Sequence, residues 1–203
     1  MNRKLLKRIL VTSAIAILGV NTSFAALVME QDQSVDTAPS VGMYRFEVPV
    51  ELQGTYNSAG VANLTASMEK EPNTLSMNVA HVKGNPSESY VVEIYKDLAA
   101  IETHRKSDHY QAFVNEVGSK LTNRKMYDVQ SVLLFEKKDA LSIVNDGKAV
   151  VTLTEFTVDS NEIDTVQRQY QLDMERAVRD DAGYKAGYVL RERNAKNRWY
   201  IIQ

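Results

Sequence analysis

Four side chains able to move a proton, Glu93, Tyr95, His104 and His109, fall within one stretch running from Glu93 to Phe113. An imidazole titrates near pH 6.5, so His104 can take a phenolic or enolic proton close to neutrality. Glu93 and Tyr95 flank Ile94 on one face of an apolar strand and can point a carboxylate and a phenol into the same space. Asn78, on the adjacent strand, is a further candidate of the same kind. Tyr110 and Phe113 would line that space while packing a helix. Each residue also has a plainer role: His104 could hydrogen-bond a backbone carbonyl, Ser107 could cap the second helical run, and Glu93 could pair with Lys or Arg. A metal centre is not expected. The chain has three histidines; His104 and His109 stand five apart, about 140° around one helix, and His81 is on a separate strand. Nothing resembles a nucleophile elbow, a phosphate loop or a dinucleotide fingerprint.

The elements that must position these groups follow from hydrophobic period. Residues 43–50 alternate as a strand, and Val61, Leu64 and Met68 share a helix face that ends before Pro72. Leu75, Met77, Val79 and His81 lie on one face of the next strand, with Ser76, Asn78, Ala80 and Val82 on the other. Gly84-Asn85-Pro86 turns the chain into the 90–95 strand. A helical region over 97–121 and a last strand over 127–135 complete a βαββαβ order, the ferredoxin-like split βαβ of an α+β protein. After Asn145-Asp146-Gly147 the pattern begins again. A strand over 150–156, a helix with the stripe Ile163, Val166, Tyr170, Met174 and Val178, and a hairpin over 184–202 repeat the first half at an offset of about 108 residues. Asp159 and Glu162 suggest a capping box, and Gly183 a helix stop. The second copy reaches no counterpart of the His104–Phe113 helix or of the fourth strand. Trp199-Tyr200-Ile201-Ile202 is too apolar for an exposed edge, so it is either sandwiched between neighbours or belongs to a shortened tandem chain.

The pattern E-x-Y-x-D-x-x-A-x-x-x-H-x-x-S-x-H-[FY]-x-x-F over Glu93–Phe113 resembles the signature of antibiotic biosynthesis monooxygenase (ABM) domains, members of the dimeric α+β barrel superfamily. The resemblance implies two ferredoxin-like modules in tandem, the second partial, whose sheets pair as an intramolecular pseudo-dimer or in a homodimer. It implies that His104 faces a cavity beneath the helices. It further implies a cofactor-independent monooxygenase acting on a quinol or polyphenol, with His104 as base or proton shuttle and Tyr95, His109 and Glu93 orienting the substrate. Neither cofactor nor metal is then required. The haem-degrading branch fits poorly, since the first strand has no Asn, His104 takes the place of its Trp, and Val114 falls where its His stands. The competing expectation is a non-catalytic module that binds a small ligand or a protein.

The first residues bear on location. Arg3, Lys4, Lys7 and Arg8 precede an apolar run over Ile9–Val20 that is too short to span a bilayer comfortably, and Ser23-Phe24-Ala25 offers a small-x-small cleavage site. The expected organisation is a signal peptide over 1–25, a flexible linker over 26–40, an ABM-like domain over 41–140 and a partial second module over 148–203. A periplasmic or secreted protein follows, with no membrane association after cleavage. Of 24 basic residues, loss of those four leaves 20 against 26 acidic, a net charge of −6 in place of −2. That acidic balance argues against nucleic acid as a partner and leaves a small molecule. With no cysteine, disulfides, thiolate nucleophiles and cysteine-held metals are excluded.

Overall fold

The computed structural model describes residues 39–137 and 149–203, together with the backbone path of Lys7–Ala16. The first module comprises β2 (Ser40–Glu47), α1 (Gln53–Lys70), β3 (Thr74–Val82), β4 (Asn85–Tyr95), α2 (Leu98–Lys106), α3 (Asp108–Glu116) and β5 (Thr122–Tyr127). The second comprises β7 (Val150–Thr157), α4 (Ile163–Asp180), β8 (Ala186–Glu192) and β9 (Arg198–Ile202). Between them β6 (Val129–Glu136) continues from β5, and Lys7–Ala16 forms β1.

One antiparallel sheet runs in the order β5-β2-β4-β3-β1-β7-β9-β8-β6. The last strand of the first module, expected as one unit over 127–135, breaks at Asp128: β5 pairs with β2, whereas β6 crosses to pair with β8 of the second module. Asp128 is held at the crossing by Asn194, whose amide donates to it over 2.8 Å. β1 occupies the position related to this crossing strand by pseudo-twofold symmetry. Its first half pairs with β7, the opening strand of the second module, and its second half pairs with β3 of the first. The segment read as a leader therefore contributes a strand here. The expected linker and the Asn145-Asp146-Gly147 turn lie outside the described residues, apart from Pro39 and Ser40 at the linker's end.

Three cores account for the layers. Met43, Tyr90, Val92 and Ile94 of the first sheet face Leu153, Tyr188, Leu190 and Tyr200 of the second. The opposite face of the first sheet, with Val79, Val91 and Tyr95, is covered by α1, α2 and α3 through Tyr56, Leu64, Ala100 and Phe113. α4 covers the second sheet, its stripe of Ile163, Val166, Tyr170, Met174 and Val178 lying on Trp199, Val189 and Phe135. Both sheet faces are thus buried, as their apolar composition requires. β9 lies between β7 and β8, so the apolar 199–202 segment is sandwiched. Trp199 has no exposed surface, and its truncation to Ala would cost about 3–5 kcal/mol.

Local signals explain most boundaries. Asp97 caps α2, its carboxylate accepting from the Ala100 N–H over 2.9 Å. Ser107 is extended (φ −69°, ψ 148°) and serves both neighbours, its hydroxyl donating to the His104 carbonyl and accepting from the Tyr110 N–H. The expected helical region over 97–121 is consequently two helices and a 3-10 turn at Gly118–Lys120. The second-module caps differ from expectation. Glu162 makes no side-chain cap, since Asp159 meets its N–H with a backbone carbonyl instead, and α4 stops at Asp180 before Gly183 is reached.

Candidate active site

Between the helix-facing side of the first sheet and α1, α2 and α3 lies a cavity of about 140 Å³. Strand parity fills its floor. The registers Tyr44↔Val91 and Gly42↔Glu93 place Tyr44, Val91 and Glu93 on one face, joined by Tyr95. Gly42 is required here, because a Cβ would stand 2.8 Å from Tyr44 Cε2 and 3.1 Å from Glu93 Oε2. Phe46, Tyr56, Tyr110 and Phe113 supply aromatic walls, and Asn63, His104 and Arg105 the remaining polar ones.

Glu93 is the most perturbed carboxyl in the cavity. Burial pushes it up to about 7, against the opposing hydrogen bond from Tyr95 and the charge of Arg105, with Glu71 adding a further upward push. The Tyr95 hydroxyl donates to Glu93 Oε2 over 2.9 Å. Burial and the Glu93 carboxylate both raise the Tyr95 phenol above its ordinary value, and they raise Tyr44 likewise. Tyr95 is therefore a neutral donor near neutrality, and Glu93 changes charge in that range.

His104 is almost wholly buried, at 1 % exposure. Its Nδ1 lies 3.1 and 3.2 Å from the two Glu71 oxygens. A carboxylate there assigns the ring proton to Nδ1 and leaves Nε2 an acceptor. Burial lowers the His104 pKa despite the Glu71 charge, which favours this neutral form at neutral pH. Glu71 precedes Pro72, which disfavours helix for the residue before it; Glu71 is extended, and α1 ends there. Burial pushes the Glu71 carboxyl up, but hydrogen bonds from Thr74, His104 and His109 and the His104 charge hold it below the usual range. His109 Nε2 lies 2.6 Å from Glu71 Oε1. Four buried side-chain nitrogen or oxygen atoms lack a partner among the described residues; two of them, His104 Nε2 and Asn63 Oδ1, belong to residues lining this cavity. Buried polar atoms without partners are uncommon, and both of these are acceptors that a bound hydroxyl could satisfy.

Of the residues singled out in the sequence, Glu93, Tyr95, His104, Tyr110 and Phe113 line the cavity. His109 lies behind His104, with ring centroids 5.9 Å apart, and contacts Glu71 instead. Asn78 is not in the wall. It pairs with Val92, which faces the other sheet, and its amide donates to Ser76 Oγ. The helical-wheel argument separating the two histidines fails because Ser107 divides the helix. Tyr44, Asn63, Glu71 and Arg105 were not anticipated; of these, the alternation of the first strand could have pointed to Tyr44.

A family model, antibiotic biosynthesis monooxygenase, matches residues 41–116, the segment holding every residue of the cavity. These residues form an ABM domain. Two solved structures share the fold of this chain over most of its length. A monooxygenase candidate from Lactobacillus acidophilus superposes with a TM-score of 0.74 at 18% identity, covering 81% of this chain and 75% of its own. Another from Fusobacterium nucleatum gives 0.67 at 22%, covering 82% and 75%. At these identities the likeness is one of fold. No curated protein matches the sequence.

Proposed function

We propose that the ABM domain is a monooxygenase-type enzyme for a hydroxylated aromatic compound of a single ring, a small quinol, and that Glu93 takes the substrate proton. The observation that carries this reading is a carboxyl raised to about 7 inside an aromatic cavity, bonded to Tyr95. A base is most effective when its pKa lies near the working pH. The cavity volume bounds the substrate, since about 150 Å³ of apolar space accommodates benzene and little more. His104 Nε2 and Asn63 Oδ1 supply acceptors for hydroxyl groups, and Arg105, beside Tyr44, supplies a positive charge for the phenolate.

In this scheme Glu93 accepts one phenolic proton, and the quinolate passes an electron to molecular oxygen. Recombination of semiquinone and superoxide forms a carbon–oxygen bond. The resulting hydroperoxide loses water to leave a hydroxyquinone, so one oxygen atom enters the product and the other leaves as water. The substrate is itself the reductant. Export with cleavage after Ala25, read from residues 1–25, would place this activity outside the cytoplasm in a mature chain without β1. Mass analysis of protein from the producing cell, with an N-terminus at Ala26 or at Met1, tests that part.

The test of the activity is oxygen uptake with one-ring and two-ring quinols, beside Glu93→Gln and His104→Ala. Uptake restricted to the smaller quinols and abolished in Glu93→Gln supports the reading. Folded protein without uptake refutes it and favours a ligand-binding module. Uptake unchanged in Glu93→Gln removes Glu93 as base.

A further inference from the structure

We propose that Glu71, His104 and His109 form a binding site for a divalent first-row transition ion, zinc being the simplest occupant. Three elements converge on it. Glu71 stands at the end of α1, His104 in the last turn of α2 and His109 in the first turn of α3. The break at Ser107 folds the two short helices so that both imidazoles meet one carboxylate. One donor atom from each of the three residues lies within 4.8 Å of the others. Glu71 Oε1 is 3.1 Å from His104 Nδ1 and 2.6 Å from His109 Nε2.

A tetrahedral ion with bonds of about 2.0–2.2 Å separates adjacent donors by about 3.3–3.6 Å. The two contacts to Glu71 need to widen by less than about 1 Å to admit it. Two neutral imidazoles and a carboxylate suit zinc, cobalt and ferrous iron rather than magnesium or calcium. The carboxylate is already oriented from behind, because the Thr74 hydroxyl donates to Glu71 Oε2 over 2.6 Å. His104 and Glu71 are buried, whereas the His109 side chain is 15% exposed and its Nε2 also lies 3.0 Å from Ser107 Oγ.

The ion would replace the protons that the histidines now direct at Glu71. With Nδ1 of His104 bound to metal, the ring proton resides on Nε2, and that atom changes from acceptor to donor. Occupancy of the site would then alter which hydroxyl or carbonyl group the neighbouring cavity prefers.

Full-length protein dialysed against a chelator is titrated with Co(II), followed by visible ligand-field absorption and elemental analysis. The expected result is one Co(II) per chain with tetrahedral-type bands. Glu71→Gln and His109→Ala should each weaken binding at least tenfold. His81→Ala, whose histidine is engaged by Asn57 and Pro86, should leave it unchanged. Absence of stoichiometric binding to the folded wild type overturns the proposal, as does undiminished binding in folded His109→Ala. Should the variants unfold, the wild-type histidine ring signals decide. Zinc must move those of His104 and His109 and spare His81; any other pattern overturns the site.

Discussion

Tyr95→Phe removes one hydroxyl and tests the electrostatics of the cavity. That hydroxyl donates to Glu93 over 2.9 Å and opposes the effect of burial on the carboxyl. A hydrogen bond to a charged group contributes about 1.5–3 kcal/mol, and 1.36 kcal/mol corresponds to one pH unit. The midpoint of Glu93 titration should therefore rise by about one to two pH units. Glu93 is about half ionised at pH 7 in the native protein, since its value there is about 7. In the variant, the ionised fraction at pH 7 would fall to between about 1 and 10 per cent. If the ionised form is the base, kcat/KM at pH 7 should drop by about five- to fiftyfold and recover as the pH is raised. The measurements are the pH profile of quinol-dependent oxygen uptake and a carboxyl-carbon NMR titration of Glu93. A midpoint that stays in place or moves down in folded Tyr95→Phe would refute the reasoning. An acid limb that ignores a shifted carboxyl would show that another group takes the proton.

Glu93 also links stability to pH. Its folded value lies above the ordinary carboxyl value of 4.5, so the folded state holds a proton that the unfolded state releases. Stability is therefore lost as the pH rises from about 4.5 through 7, by roughly 3 kcal/mol; Glu93→Gln should raise the melting temperature at pH 8 and have little effect at pH 4. Gly42→Ala should lower kcat/KM at least tenfold with native far-UV circular dichroism, because the new Cβ displaces Tyr44 or Glu93; unaltered kinetics would show that the floor yields freely. Asn78→Ala should leave turnover unchanged, since Asn78 faces away from the cavity, and a loss of activity would count against the placement. Removing residues 1–25 takes away β1 and uncovers the edges of β3 and β7, and the melting temperature should fall by at least about 5 °C; an unchanged thermal transition would show that the sheet does not need this strand.

Local periodicity made the order of elements readable, because each strand and helix buries one face of its own residues. It also placed Glu93 and Tyr95 together, two residues apart on one strand. Asn78 needed something more, namely the cross-strand register with Val92, which no local pattern states. Glu71 lies 33 residues from His104 and 38 from His109, so only the packing of α1 against α2 and α3 shows the three as a group. The division of the long helical region turned on Ser107. Its capping role was visible, but the reach of one break in bringing His104 and His109 to a common carboxylate was not. The crossing of the last strand at Asp128 was hidden for the opposite reason. β6 read as the last strand of the first module because its residues are apolar, whereas the polar, mostly exposed Thr122–Tyr127 of β5 showed no strand pattern.

That crossing strand ties two sheets into one covalent unit, and the thermodynamics of their association change with it. Two sheets held together only between separate chains come apart on dilution; two joined within one chain do not separate in that way. Fusion also releases the halves from symmetry. Two identical subunits must repeat every substitution on both sides of the axis, whereas here α1, α2 and α3 cover one sheet and, among the described residues, α4 covers the other. The second module can act as a permanent cover for one face of the first, free to change its own surface without altering the cavity on the other face.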